Sequence, residues 1–286
     1  MYYAVIDVGS NSVRLLVQKN GKTEYKNSII TGLAKNTLGT NVLCDDAIER
    51  TLNAVSFFVD KAKSIGANKV FCFATAAVRN ASNKLDFVKK TKDRFDIDLD
   101  VVSGDKEAFL GLLGALNGKD GGIIDIGGAS TEIIVSKDDK IIYKKSLPIG
   151  CVKITDICGQ DKNLAINYCS SVVSEFGQVP LTTFTGIGGT NLSASAINLG
   201  LENYDSSIID GSTLYFNELE KILDKVYSLP VCRRNEIKGL QKGREEVIGC
   251  GLIWLSKIMQ YLKLEKIYLS EKDNLEGYIL SLQNNE

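Results

Sequence analysis

Two stretches of this chain repeat one another. Ala4-Val5-Ile6-Asp7-Val8-Gly9-Ser10-Asn11-Ser12-Val13-Arg14-Leu15-Leu16-Val17 is answered by Ile123-Ile124-Asp125-Ile126-Gly127-Gly128-Ala129-Ser130-Thr131-Glu132-Ile133-Ile134-Val135. With Asp7 laid on Asp125, a shift of 118 positions (the difference between 125 and 7), Gly9 meets Gly127, Ser12 meets Ser130 and Val17 meets Val135. Lys19 and Lys22 then meet Lys137 and Lys140. At 286 residues the chain has room for two ordinary units of ~140 residues each, and the repeat asks for two related units in tandem.

Each copy reads as strand, tight Gly/Ser turn, strand, which is a β-hairpin. An Asp closes the first strand. Glycine lets a backbone approach a ligand closely, and small hydroxyl residues present N–H and O–H donors. Such a turn can cradle a phosphate, and the Asp can hold a divalent cation directly or through water. For one copy alone, a hairpin that happens to contain Gly would be explanation enough. Two copies of Asp-x-Gly-small-small-Ser favour a ligand-binding turn.

The remaining chain alternates strand and helix. Residues 69–74 are strand-like, and residues 101–102 end a short strand. Ser103 can cap a helix over residues 105–116. Residues 182–185 lead through Gly186-Ile187-Gly188-Gly189-Thr190-Asn191 to a helix over 192–199. Residues 217–227 and 245–262 carry helical periodicity, and 266–270 read as a strand. This alternation gives an α/β architecture. The Gly-rich stretch Asn117-Gly118-Lys119-Asp120-Gly121-Gly122 marks the boundary, so the expected units are 1–118 and 119–286, with the last helix able to pack back on the first unit.

The formal net charge is −1, so no global field draws in nucleic acid and an anionic ligand must be held by local groups. The first residues run straight into a strand, which argues against a secretory leader. No apolar run reaches the ~20 residues of a membrane span, and 247–259 reads as a buried helix. Seven cysteines without a CxxC pair fit reduced, mostly buried thiols, and the expected compartment is the cytoplasm. With no histidine, Ser-His-Asp and Cys-His nucleophile systems and histidine metal sites are excluded. Acid–base work falls on carboxylates, and any metal is a hard cation on oxygen.

Asp125 and Glu132, seven apart across the second hairpin, could converge on one cation; a solvated strand face would equally account for Glu132. Glu107 sits in a helix's first turn, where acidic residues are common because of the helix dipole. Arg79 follows a strand and could fork onto a phosphate, or could be a surface arginine. Gly188-Gly189-Thr190 between strand and helix can offer backbone N–H groups to an anion, although such turns are frequent. Lys89, Lys90, Lys92 and Arg94 read as a solvated helix face.

These motifs resemble the exopolyphosphatase / guanosine pentaphosphate phosphohydrolase (Ppx/GppA) family of the actin–Hsp70–sugar-kinase superfamily. Asp7-Val8-Gly9-Ser10-Asn11-Ser12-Val13-Arg14 resembles its first phosphate loop, and Leu38-Gly39 a following Leu-Gly element. Ala74-Thr75-Ala76-Ala77-Val78-Arg79-Asn80-Ala81-Ser82-Asn83 is similar to its Ala-Thr-x-Ala-x-Arg segment. Ser103-Gly104-Asp105-Lys106-Glu107-Ala108 resembles the segment with its catalytic glutamate, which maps to Glu107. Asp125-Ile126-Gly127-Gly128-Ala129-Ser130-Thr131-Glu132 resembles its second phosphate loop. Ser146-Leu147-Pro148-Ile149-Gly150 and Arg244-Glu245-Glu246-Val247-Ile248 are similar to later elements. Ala129 stands for the third loop glycine and Phe109 for an arginine. The run Ser270-Glu271-Lys272-Asp273-Asn274-Leu275-Glu276-Gly277 lacks a Gly-Leu-Arg before Glu-Gly. The helical C-terminal domains that line a polyphosphate channel in longer members are not expected here.

The resemblance implies two ribonuclease-H-like, actin-like domains around a cleft, and a phosphoanhydride hydrolase. Asp7, Gly9, Ser10, Asn11, Ser12, Gly127, Gly128, Ala129, Ser130, Gly188, Gly189 and Thr190 are its expected phosphate contacts. Mg²⁺ or another hard divalent cation is expected on Asp125 and Glu132, with Glu107, Glu132 and Arg79 in catalysis. The expected ligand is inorganic polyphosphate of short chain length, or guanosine pentaphosphate as a 5′-phosphohydrolase substrate. Nucleic acid and membrane are not expected partners, and monomer and homodimer both stay open. A sensor that binds without turnover and a kinase of the same superfamily are the competing classes.

Overall fold

The computed structural model describes residues 2–35, 37, 40–138 and 140–283. The Leu38-Gly39 element lies outside the described residues. The first half runs β1 (Tyr2–Val8), β2 (Ser12–Lys19), β3 (Lys22–Ile30), α1 (Asp45–Ile65), β4 (Val70–Ala74), α2 (Ala76–Asn80), α3 (Lys84–Phe95), β5 (Leu99–Val101) and α4 (Gly104–Leu116). The second half opens with β6 (Gly121–Ile126), β7 (Thr131–Lys137), β8 (Lys140–Leu147), α5 (Cys151–Cys158), α6 (Lys162–Val172), β9 (Phe184–Ile187) and α7 (Gly188–Asn198). It closes with α8 (Ser206–Ile209), β10 (Thr213–Tyr215), α9 (Phe216–Tyr227), α10 (Ile248–Tyr261), β11 (Lys266–Leu269) and α11 (Asn274–Gln283).

Two mixed sheets result, in the orders β3-β2-β1-β4-β5 and β10-β11-β9-β6-β7-β8. In each, an antiparallel meander meets a parallel neighbour along its first strand, β4 beside β1 and β9 beside β6. The duplication persists in small irregularities. The pairing shifts at Val17/Gln18 in one copy and at Val135/Ser136 in the other, and the turns that follow hold Asn20 and Asp138 at φ of 50° and 51°.

β1 is apolar on both faces because both are covered. Ala4, Ile6 and Val8 point into the core under α1, and Val5 into a second cluster with Phe73, Leu275 and Ile279. α11 therefore lies against the first sheet. α4 does the reverse: Ala108 and Leu112 pack on Ile123, Ile134 and Ile187 of the second sheet. The two helices cross between the sheets with their backbones in contact. A β-carbon on Gly114 would meet the Asp273 carbonyl oxygen at 1.9 Å, and one on Gly277 the Leu110 carbonyl oxygen at 1.9 Å.

The run 247–259 spans the N-cap and all but the last two residues of α10 and is buried in the second core. Its Trp254 indole N–H donates to the Thr131 hydroxyl at 2.8 Å. Among the described residues no helix is long and apolar enough to cross a membrane. All seven cysteines are unpaired, and five of them are buried. Lys89, Lys90, Lys92 and Arg94 are exposed on α3.

Candidate active site

Both hairpin turns are closed by the same bond, the Gly9 N–H to the Ser12 carbonyl at 2.9 Å and the Gly127 N–H to the Ser130 carbonyl at 3.0 Å. In both copies the segment after the third strand ties the turn down from behind. Thr31 and Ala34 N–H groups take the carbonyls of Asn11 and Ser10, and those of Cys151 and Val152 take the carbonyls of Gly127 and Gly128. The turns meet: a β-carbon on Gly128 would stand 2.8 Å from Ser10 Cβ. Gly9 and Gly127 thus share one crevice.

That crevice is a cavity of about 900 Å³. Its wall carries Asp7, Gly9, Ser10, Asn11, Ser12, Gly127, Gly128, Ser130, Gly188 and Gly189, with Asp125 and Glu107 among them. Four expected residues stand off this wall. Ala129 packs on the first core beside a smaller dent lined by Ala76 and Ala77. Thr190 is buried against Gly251. Arg79 lies in the last turn of α2, where its guanidinium donates to the Glu107 carboxylate at 2.7 Å and the Val102 carbonyl at 2.9 Å. Glu132 is beside Asp125 in the sheet but only 1% exposed, which rules out a solvated strand face.

Local sequence places the others. Ser103 accepts from the Lys106 N–H at 3.1 Å and so starts α4 at Gly104, putting Glu107 in the first turn. α7 begins at Gly188, earlier than its apolar periodicity indicates, so Gly188-Gly189-Thr190 is the helix's first turn. Gly188 adopts φ of +80°, and a β-carbon there would sit 2.3 Å from Asp125 Oδ1. Only glycine satisfies both conditions.

Several wall residues carried no role from sequence. Arg14 donates through Nε to Asp7 at 3.0 Å, and its terminal nitrogens reach Asp7 and Asp273. Asp273 also accepts the Leu275 N–H at 3.0 Å, capping α11. Lys26 pairs with Glu276 at 2.8 Å. The Arg244 guanidinium is buried against Gly189, and Asn274 reaches Asp125 at 3.4 Å. Arg14 and Arg244 already stood inside motifs. Lys26, Asp273 and Asn274 are brought in by strand register and by the return of α11, for which a single sequence holds no signal.

Buried carboxylates crowd one another here, and burial disfavours their charge. Asp125 is pushed up to about 7, by burial first and the Glu107 charge second. Burial raises Glu107 too, against the opposing pull of Arg79. Glu132 is raised further, by burial and then by Glu107 and Asp125. Asp273 behaves oppositely: burial pulls upward, but Arg14 and Lys26 together hold it below its ordinary range.

A hard cation suits this set. Asp7 Oδ1 is buried without a hydrogen-bond partner, and Asp125 faces the cavity. Among the described residues no group of three or more His, Cys, Asp or Glu could enclose a metal. The protein therefore offers one or two carboxylates, with phosphate oxygens and water to complete the shell, which is the usual manner of Mg²⁺.

The Ppx/GppA phosphatase family matches residues 6–286. A bifunctional 3-dehydroquinate synthase/phosphatase from Fusobacterium nucleatum is 33% identical over 97% of this chain, which spans only 46% of that protein. Exopolyphosphatase 2 from Mycobacterium tuberculosis is 28% identical, with 98% of each chain covered. The crystal structure of the Aquifex aeolicus Ppx/GppA family member superposes with a TM-score of 0.80 at 26% identity, covering 100% of this chain and 99% of that one. With the family matched along nearly its whole length and the fold shared end to end, this chain belongs to the Ppx/GppA phosphatase family.

Proposed function

We propose that the protein hydrolyses the terminal phosphoanhydride bond of short inorganic polyphosphate chains and releases orthophosphate. The observation that carries this reading is the contact of the two turns at a cavity that also holds Glu107 and Asp125. Main-chain donors of the two turns and of the first turn of α7 would bind successive phosphoryl groups and fix the reacting one in line. Mg²⁺ held by Asp125 would offset charge on the phosphoryl oxygens. Glu107, raised by burial and oriented by Arg79, accepts the proton of the attacking water. Arg79 serves this orientation in place of a direct phosphate fork. Glu132 supports the Asp125 side of the site. Unpaired cysteines and the absence of a spanning helix among the described residues support a cytoplasmic setting.

Guanosine pentaphosphate is the second reading. Beyond the turns the cavity wall turns to Ile30, Leu192, Tyr204 and Gln241, apolar and amide groups able to receive a nucleoside. Free phosphate is to be measured with Mg²⁺ and triphosphate, long polyphosphate, guanosine pentaphosphate or ATP. Release from triphosphate at a rate well above the other arms supports the reading. Tight binding with no phosphate release in any arm replaces it with a sensor.

A further inference from the structure

The duplication reaches past the turns into the third strands. In the second sheet Asp125 pairs with Glu132 and Glu132 with Ser146, so three neighbouring strands bring these residues level. In the first sheet Asp7 pairs with Arg14 and Arg14 with Ser28. Residues level on adjacent strands project from one face. Each member of one row differs from its counterpart by the same 118 positions that relate Asp7 to Asp125.

The ends of the row are kept, and the middle is exchanged for the opposite charge. In the first row Arg14 answers its neighbour Asp7 directly. In the second row the middle residue is a buried carboxyl group beside another, and burial and its neighbours disfavour its charge. A carboxylate in that position needs donors from elsewhere. The Ser146 hydroxyl supplies one, 2.6 Å from Glu132 Oε1. Ser130, on the cavity wall, supplies a second. Glu132 is therefore held between a hydroxyl at the rear and a hydroxyl at the phosphate turn.

Ser146 is itself held in place. The first turn of α4 lies over it, where a β-carbon on Gly104 would stand 3.5 Å from its Oγ. Two residues earlier on the same strand, Lys144 pairs with Asp105 of that turn at 2.9 Å. This is the turn that carries Glu107.

We propose that Ser146 is a positioning residue for hydrolysis, which by donating to Oε1 of Glu132 sets the orientation of that carboxylate against Asp125 and Ser130. The proposal rests on the reading of Glu132 as part of the hydrolytic site. It goes beyond that reading in assigning a task to a side chain that stands outside the cavity.

The test is Ser146→Ala beside Ser146→Thr, assayed with triphosphate and Mg²⁺. Ser146→Ala lowers kcat about 3- to 10-fold, the range of a lost uncharged hydrogen bond, with KM within about threefold. Ser146→Thr keeps the hydroxyl on a strand that accepts a β-branched side chain and recovers most of kcat. In a Glu132→Gln background, Ser146→Ala adds little, because the two act as one unit. Unchanged kcat in Ser146→Ala, a loss confined to KM, or multiplicative effects in the double variant would each overturn the proposal. A crystal structure of Ser146→Ala is the readout independent of turnover. A Glu132 carboxylate rotated off Asp125 supports the proposal, and an unmoved one overturns it. An unaltered protein that hydrolyses no phosphate chain defeats the hydrolase reading alone, and that crystal structure then decides the role of Ser146.

Discussion

Gly128 and Ser10 touch across the cleft, the bare α-carbon of one against the β-carbon of the other, 2.8 Å from where a methyl group would be. The two hairpin turns are thus pressed together by the absence of a single side chain. Gly128→Val should wedge them apart, and its β-carbon would also press on Val152 Cγ2 at 3.1 Å. The expected result is a fall in kcat/KM of about 100-fold, the scale of a misplacement of roughly 1 Å. The melting temperature should fall by several degrees as well, because Val152 belongs to the first core. Steady-state kinetics with triphosphate and a thermal melt of the same preparation check both parts.

Glu107 and Arg79 form a largely buried ion pair that links α2 to α4. Glu107→Gln should lower kcat about 10²- to 10⁴-fold if the carboxylate is the general base. Retention of full rate would remove that assignment. Arg79→Met has a different signature. Burial raises Glu107 and Arg79 opposes the rise, so removing the guanidinium raises Glu107 further. The acid limb of the kcat profile should then move to higher pH, which a pH–rate series on both proteins measures.

The buried carboxyl groups of the site should make stability depend on pH. Asp125 in the folded chain is pushed up to about 7, from an ordinary 3.8, chiefly by burial. Below pH ~4 it is protonated in both folded and unfolded chains. Between ~4 and ~7 the folded chain holds a proton that the unfolded chain has lost. Stability therefore falls as pH rises through that window. Asp273, held low by Arg14 and Lys26 against burial, works in the opposite sense, but only below ~4. In metal-free buffer the melting temperature should decline from pH 5 to 7.5, and Asp125→Asn should lessen the decline, leaving the share of Glu107 and Glu132, which are raised as well. Excess Mg²⁺ should flatten it as well, by binding the ionised carboxylate.

Gly188 carries two demands at once, a φ of +80° and a neighbour, Asp125 Oδ1, 2.3 Å from any β-carbon. Gly188→Ala should cost about 1–2 kcal/mol in stability through the left-handed backbone alone. It should also push the Asp125 carboxylate aside. The Mg²⁺ concentration for half-maximal activity is expected to rise at least tenfold, which a metal titration at saturating triphosphate reads directly. An unchanged metal requirement would show that Asp125 is not the cation's anchor.

Much of the site was legible because the repeat is local. Gly9 with Ser12, and Gly127 with Ser130, are hairpin turns whose chemistry lies within a few residues, and the second copy marks the pattern as more than chance. Ser103 announces α4 and so the place of Glu107. The first turn of α7 is not legible in the sequence because Gly188 and Gly189 have weak helix propensity; Asp125 and Arg244 fill the space that side chains there would need. Arg79 follows a strand, which leaves a phosphate fork and a surface arginine both open, yet its guanidinium turns to Glu107 and the Val102 carbonyl, since a buried carboxylate within reach needs a cation.

The sequence by itself determined that there are two hairpin units of one design, that the chemistry rests on carboxylates and main-chain donors, and that the alternation is α/β. These follow from periodicity, from the absence of histidine and from short-range turn geometry, all of which act within a few residues. The tertiary structure alone decided that Arg14 is taken up by Asp7 and Asp273, that Lys26 meets Glu276, and that Asp125, Glu132 and Ser146 stand level in one sheet. These pairings join residues 14 with 273 and 26 with 276, between strands of the first sheet and the start of α11. They depend on strand register and on one helix returning to the other sheet, and neither is encoded in the spacing of any single segment.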